Sequence, residues 1–420
     1  MALEFSSDLD LLGLDLSRKA RNRLSAKDRA FHDWYRFVLS FPPHLVRYYL
    51  QQFQATGASV VLDPFAGTGT TLVEVQKLGL TALGIEANPM AHFACGVKLD
   101  WSLEPEQLQQ ATADILAAPA PAEPELPAAA ADLLFKNAIS PRPLTRVLTL
   151  LRQIDDAAPA ALQAHYRLAL ARAAVMASNL RFAPEVGVSR KHKLDAPVVE
   201  LWLAAVEAMV ADLSSLETKP PQAGRVYHGD ARQPRLPKAS IDMVITSPPY
   251  PNEKDYTRAT RLESVILGFL ESRADLKLVK DDLVRSNSRN VYSRDDDDRW
   301  IQQYPEILEL ADTINQRRQQ LGKTSGFSRL YARATTLYFG GMARHLANLR
   351  PLLRPGARLA YVVGEQASYL QVHIPTGRLL ATIAQDLGYE LSGIDLFRTR
   401  RASKTEVDLR EEVVRLRWPG

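Results

Sequence analysis

Apolar positions along this chain switch between two periods. Short continuous apolar runs bounded by glycine, proline or charge predict buried strands, and apolar positions recurring every three to four residues predict helices. Val60–Leu62, Thr81–Ile85, Arg225–His228, Ile241–Ile245, Arg358–Val363, Tyr389–Phe397 and Glu411–Arg417 are of the first kind and give seven strands. Helical spacing lies between them. Pro42-Pro43 opens a helix through Leu45, Val46 and Leu50, Leu72–Leu78 carries another, and two more cover 330–349 and 377–387. Alternating strands and helices imply an α/β fold with a mainly parallel sheet, and the short last connection allows one antiparallel strand at the end.

The alternation is interrupted twice. From Trp101 to about Gly224 the pattern is helical, with helices expected at Leu103–Ala118, Leu162–Leu180 and Pro197–Leu216, the last capped by Asp195, and an alanine- and proline-rich linker at Ala117–Ala131. Residues 270–330 form a charged stretch carrying Arg285, Arg289, Arg294, Arg299, Arg317 and Arg318, with four aspartates at 295–298. Adjacent side chains in such a run point in different directions, so a solvated loop is expected rather than a metal site. The expected organisation is therefore a flexible arm at 1–30, a catalytic domain at 31–100 and 225–420, a helical insertion at 101–224, and the charged insertion at 270–330. The arm ends in Arg18, Lys19, Arg21, Arg23, Lys27 and Arg29.

Composition narrows the class. The 420 residues are 46% hydrophobic, enough to fill a sizeable core. A formal charge of +4 and a pI near 9.0 permit a polyanionic partner without requiring one. The single cysteine, Cys95, excludes intramolecular disulfides and cysteine-cluster metal sites and suits a reducing cytoplasm. No apolar run approaches the roughly 18 residues of a membrane helix, and the first residues carry Glu4, Asp8 and Asp10 in place of a basic leader. A cytoplasmic location is expected.

Two stretches carry chemistry. The strand Ile241–Ile245 runs into Thr246-Ser247-Pro248-Pro249-Tyr250, where the prolines end the ladder and force a rigid turn. Such a turn presents a hydroxyl, backbone carbonyls and an aromatic ring. A hydroxyl oxygen and a carbonyl can hold the two N–H groups of an exocyclic amine and draw its delocalised lone pair toward an electrophile. Tyr250 can stack on a base taken out of the helix. On its own the turn reads rather as a proline-terminated strand with a core tyrosine. The other stretch is Asp63-Pro64-Phe65-Ala66-Gly67-Thr68-Gly69-Thr70-Thr71, a strand, glycine turn and helix start. Glycines let backbone approach a ligand closely, and Glu86, about 20 residues on at the end of the next strand, is placed to accept ribose hydroxyls. A dinucleotide site is the alternative.

Together these motifs, with Gly84-Ile85-Glu86-Ala87-Asn88-Pro89, resemble the S-adenosylmethionine-dependent amino-methyltransferases of DNA, whose catalytic signature is Asp/Asn/Ser-Pro-Pro-Tyr. The resemblance covers His32–Asn88 and 225 to the end. It implies a seven-stranded, Rossmann-like methyltransferase sheet, Ser247, Pro248, Pro249 and Tyr250 as catalytic residues, and a cofactor site formed by Phe41, Asp63, Phe65, Gly67, Gly69, Thr70, Thr71, Glu86, Asn88 and Asp230. It implies no metal. The Ser-Pro-Pro-Tyr form is most frequent among N4-cytosine enzymes. The cofactor motif precedes the catalytic one here, a departure from many of those enzymes, so adenine N6 remains the alternative target. Methylation at cytosine C5 would need an activated thiolate, and Cys95 has no such context. Other readings are an RNA amino-methyltransferase and a non-catalytic nucleic-acid binder.

Double-stranded DNA is the implied partner, with a separately encoded restriction endonuclease as a further expected one. The basic loop at 181–193 offers Arg190, Lys191 and Lys193 for reading bases, and Lys254, Arg258, Arg285 and Arg289 are expected at the DNA as well.

Overall fold

A computed structural model describes residues 24–25, 28–36, 40–120, 124–182, 185–220, 223–401 and 408–420. The basic run from Arg18 to Arg23, and Lys27, lie outside the described residues, so the expected arm is untested.

In chain order the strands are β1 (Val60–Asp63), β2 (Thr81–Glu86), the short pair β3 (Leu180–Arg181) and β4 (Gly187–Val188), then β5 (Arg225–His228), β6 (Ile241–Thr246), β7 (Leu353–Gly364), β8 (Glu390–Arg401) and β9 (Asp408–Arg417). Seven of them form one sheet in the order β5-β2-β1-β6-β7-β9-β8, and β3 pairs with β4 alone. Neighbours from β5 to β7 are parallel, while β9 runs antiparallel to both β7 and β8. The antiparallel strand is thus last in the chain but lies inside the sheet, clamped between two strands of opposite direction.

The middle strands β1, β6 and β7 are buried on both faces, which is why they read as continuous apolar runs, while the edge strands β5 and β8 are largely exposed or half-buried. Val61, Met243, Ile245, Ala360 and Val362 join one core; Leu62, Val244, Leu359, Tyr361 and Val363 alternate into the other. The first core holds α1 (Pro43–Gln52), α2 (Thr70–Lys77) and α3 (Pro89–Leu99). It continues without a break into the 101–224 segment, whose helices are α4 (Pro105–Ala117), α5 (Ala128–Ala131), α6 (Pro141–Ala157), α7 (Ala160–Ala177) and α8 (Val198–Ser214). Asp212 on α8 accepts from the Phe31 backbone N–H and from Trp34 Nε1, both at 2.8 Å, which ties the aromatic N-terminal segment to this helical layer.

Periodicity missed α3 and α6. Val147, Leu150 and Ile154 do form a buried stripe on α6 at helical spacing, but Pro141 and Pro143 at its start masked it. The expected capping of α8 by Asp195 is corrected. Pro197 is the residue at that cap, and Asp195 pairs with Arg146 at 2.7 Å.

The second core holds α14 (Tyr331–Leu349) and α15 (Thr376–Asp386), reached after α9 (Tyr256–Ala259), α10 (Arg261–Ile266), α11 (Arg273–Asp281), α12 (Pro305–Gln320) and α13 (Gly326–Arg329). Residues 270–330 are not the solvated insertion their charge suggests. Val284, Ile301, Tyr304, Ile307 and Ile314 are buried in this core. Asp297 is 3% exposed and pairs with Arg232 at 2.6 Å and Arg344 at 2.9 Å. Arg285 holds Asp295 through two bonds of 2.8 Å. The cations that neutralise Asp297 come from elements remote in sequence, so a local reading of the aspartate run cannot see them. No helix among the described residues is long and apolar enough to cross a membrane.

Gly340 marks how tightly this segment docks, because a methyl group there would overlap the backbone carbonyl of Asp297. Gly340→Ala is expected to destabilise the fold by about 1–3 kcal/mol. Gly326→Ala, where a methyl meets open space, is expected to be neutral within about 0.5 kcal/mol. Urea unfolding of the two variants checks the pair, and equal midpoints would contradict the packing.

Candidate active site

Strand order reverses beside β1, with β2 on one side and β6 on the other, so the carboxyl ends of these strands open a crevice. The two turns singled out by sequence sit there. Asp63 ends β1 and Thr246 ends β6, and the Thr246 hydroxyl donates to Asp63 Oδ1 at 2.6 Å. The same oxygen accepts the Phe65 N–H at 3.1 Å, which starts the glycine turn. Asp63 Oδ2 is buried without a partner, and burial pushes this carboxyl up to about 6. Thr71, at the start of α2, donates to the Ile245 carbonyl at 3.1 Å and adds a second tie between the turns. Gly69 adopts a φ of 86°, and a methyl there would lie 2.7 Å from Cys95 Sγ, so only glycine fits.

Glu86 ends β2. Its Oε2 accepts the Gly67 N–H and its Oε1 the Asn88 N–H, each at 2.7 Å, and burial pushes the carboxyl up to about 7. Each oxygen retains lone-pair capacity for a further donor. Asn88 caps α3 through bonds to the Met90 and Ala91 N–H groups. Behind the turn lies Lys98, 1% exposed, whose ammonium donates to the carbonyls of Thr68 at 2.9 Å and Tyr35 at 3.0 Å. Burial lowers this amine to about 7. The Tyr35 hydroxyl in turn donates to Glu263, whose other oxygen is buried and unpartnered. A polar chain from Glu263 to Thr68 thus braces the glycine turn from the core side.

On the other turn, the Ser247 hydroxyl donates to the Val362 carbonyl of β7 at 3.2 Å. The Tyr250 N–H faces the Tyr256 hydroxyl at 3.4 Å, and burial raises the Tyr250 phenol well above its ordinary value.

Both turns open into one cavity of about 840 Å³. Phe41, Phe65, Gly67, Thr70, Glu86, Asn88, Ser247, Pro248, Pro249, Tyr250 and Lys254 line it. Asp63, Gly69 and Thr71 do not; they support the lining from behind. Asp230 is also outside the lining, which passes through its neighbours Gly229 and Ala231, and its Oδ1 and Oδ2 are held by Arg232 Nε at 2.9 and 3.0 Å. Asp282 lines the cavity nearby. Arg285 is a correction. It is 3% exposed, its guanidinium is spent on Asp295 and on the Lys280 and Leu283 carbonyls, and it cannot meet DNA. Arg289 lies over the Phe327 ring at 5.0 Å, and Arg258 over Phe135 at 4.5 Å with a bond to the Val186 carbonyl. Arg190, Lys191 and Lys193 are exposed beyond the β3–β4 hairpin, with the Lys193 ammonium on the Met176 carbonyl.

Sequence reading missed one wall of the cavity. Gln366, Arg398, Arg400 and Glu411 come from the end of the chain, on or beside β7, β8 and β9. Arg398 forms two bonds with Glu411 at 2.6 and 2.8 Å. The only sequence signal for this wall was charge within otherwise half-buried strands.

A family profile described as a DNA methylase matches residues 16–93, which include the glycine turn and Glu86. Type II methyltransferase M.BsoBI of Geobacillus stearothermophilus is 24% identical over 441 residues, covering 93% of this chain and 84% of the relative. Type II methyltransferase M.AvaI of Nostoc sp. is 21% identical over 423 residues, covering 93% and 86%. Type II methyltransferase M.MjaII of Methanocaldococcus jannaschii is 34% identical over 97 residues, 23% of this chain and 17% of the relative. The family profile and the two relatives matched over most of the chain support a methyltransferase of the DNA amino-methyltransferase family and imply a methyl donor such as S-adenosylmethionine, and the two turns that carry the resemblance open into one cavity.

Proposed function

We propose that this protein transfers a methyl group from S-adenosylmethionine to the exocyclic amine of a base flipped out of double-stranded DNA, with cytosine N4 as the target. The observation that carries the reading is the single cavity shared by the Gly67–Thr70 turn, Glu86 and the Ser247–Tyr250 turn. Phe41, Phe65, Gly67, Thr70, Glu86 and Asn88 would hold the cofactor, which supplies an electrophilic methyl group. The donor set fits it: a methyl built on Gly67 meets only open space, and Glu86 offers two oxygens to ribose hydroxyls.

The protein's own contribution is to prepare the amine. Ser247 spends its proton on Val362, which directs the hydroxyl lone pairs elsewhere, toward an amine hydrogen. The Pro248 carbonyl accepts the second hydrogen, and Tyr250 stacks on the base. Held this way, the amine attacks directly, without a covalent enzyme intermediate. The helical insertion would read sequence through Arg190 and Lys191, with Arg289 on phosphates. A separately encoded endonuclease of matching specificity would be the counterpart.

Incubation with unmodified DNA and S-adenosylmethionine, followed by mass analysis of nucleosides, is expected to give N4-methylcytosine. N6-methyladenine would overturn the choice of base, and no methylated nucleoside would overturn the reading. In single-turnover kinetics Ser247→Ala should slow transfer by the equivalent of about 2–4 kcal/mol. Tyr250→Ala should mainly weaken the hold on the flipped base, by roughly 1–3 kcal/mol. Unchanged transfer in both would reject these roles.

Cofactor affinity should depend on pH. Ribose hydroxyls donate to the carboxylate form of Glu86, whose carboxyl sits near 7 in the free protein, so affinity should rise as pH increases through about 7 and fall below it. Calorimetric titration between pH 6 and 8 should show this slope in the wild type and lose it in Glu86→Gln. A flat wild-type profile would contradict the ribose role.

Arg190→Ala and Lys191→Ala should relax the methylated sequence, whereas Arg289→Ala should weaken binding to all DNA and shallow its salt dependence by about one unit. Mapping methylated positions in a random DNA pool distinguishes them, and an unchanged site preference in the first pair would reject the insertion as reader.

A further inference from the structure

We propose that Gln366 reads the 2-oxo group of the flipped cytosine and is the residue that selects cytosine over adenine. The inference rests on the amine-methylation reading above and supplies what that reading lacks, a physical reason for the base.

Gln366 follows β7, lines the cavity, and is 2% exposed. Its backbone is fixed by a two-residue bridge to Ile374, with N–H to carbonyl distances of 3.2 and 2.8 Å. Its side chain is fixed at both ends. Oε1 accepts from Arg400 Nη2 at 2.9 Å, and Nε2 donates to the Gly364 carbonyl at 3.1 Å. A guanidinium only donates and a carbonyl only accepts, so these partners dictate which end of the amide is nitrogen. An amide nitrogen carries two hydrogens, and the Gly364 bond uses one.

The second hydrogen belongs beside the catalytic turn. A methyl built on Gly364 would lie 3.1 Å from Tyr250 Cε2 and 3.3 Å from Gln366 Nε2, so the ring and the amide flank the same bare backbone. The Ser247 hydroxyl is bound to the Val362 carbonyl, and Gln366 Nε2 to that of Gly364. Carbonyls two residues apart on a strand point the same way and lie roughly 6–7 Å apart, two strand rises. An amine acceptor and an amide donor are therefore both anchored on the same side of one strand end. That pairing of acceptor and donor suits cytosine, whose 4-amino and 2-oxo groups flank N3 on one edge. Adenine carries its amine likewise, but the equivalent position is C2–H, which leaves a buried donor unpaired, and flipped bases are read on this edge.

The test uses duplexes bearing the methylated sequence with either cytosine or a 2-aminopyridine C-nucleoside at the target, which keeps the amine and the ring nitrogen but lacks the 2-oxo group. Wild-type kcat/KM should fall roughly 10- to 100-fold on the analogue. Gln366→Leu should lose a similar factor on cytosine and become indifferent to the 2-oxo group. Gln366→Glu keeps an acceptor for Arg400 but presents an oxygen in place of the donor, so it should handle cytosine worse than the analogue. Unaltered cofactor affinity by titration shows that each variant is folded. Equal wild-type rates on both duplexes, or Gln366 variants as sensitive to the 2-oxo group as the wild type, would overturn the inference alone. N6-methyladenine as the wild-type product would overturn the cytosine reading and this inference with it.

Discussion

The bond between Thr246 and Asp63 joins two strands that are neighbours in space but 183 residues apart in the chain. It sits where the strand order reverses, and it sets the separation of the glycine turn from the Ser-Pro-Pro-Tyr turn. Thr71, bonded to the Ile245 carbonyl, locks the same pair one step deeper. Each motif alone is a piece of backbone with loose meaning. Coupled through two buried bonds at adjacent strand ends, they face one cavity at fixed spacing, which would position the two reacting groups of the proposed transfer before either arrives.

Much of the polar chemistry around that junction is structural. Lys98, Glu263 and Tyr35 form a buried chain behind the glycine turn, and Arg232, Asp297 and Arg344 form another beneath Asp230. Removing one member would leave its partner buried and unpaired, which is costlier than the pair is stabilising. Such networks make the turns rigid without contacting a ligand.

The middle of the sheet was legible because strands buried on both faces write themselves as unbroken apolar runs, and the two turns because proline and glycine constrain backbone wherever they occur. Partner choice was not legible. Arg285 and Asp230 have the charge expected of ligand-binding residues, yet Arg285 is held by Asp295 ten residues on and Asp230 faces Arg232 two residues on, pairings that charge alone does not single out from the other acids and bases nearby. The cavity wall of Gln366, Arg398 and Arg400 was missed because its residues come from strand ends with no motif of their own. The helices α3 and α6 were missed where prolines at the first helical turn resembled breaks.

On the function proposed above, both turns serve one direct displacement in one cavity. Its most direct test is the stereochemistry of transfer from S-adenosylmethionine carrying a chiral, isotopically labelled methyl group. A single in-line attack by the base amine predicts inversion at the methyl carbon. Retention would require two displacements through a methylated protein group and would contradict the account.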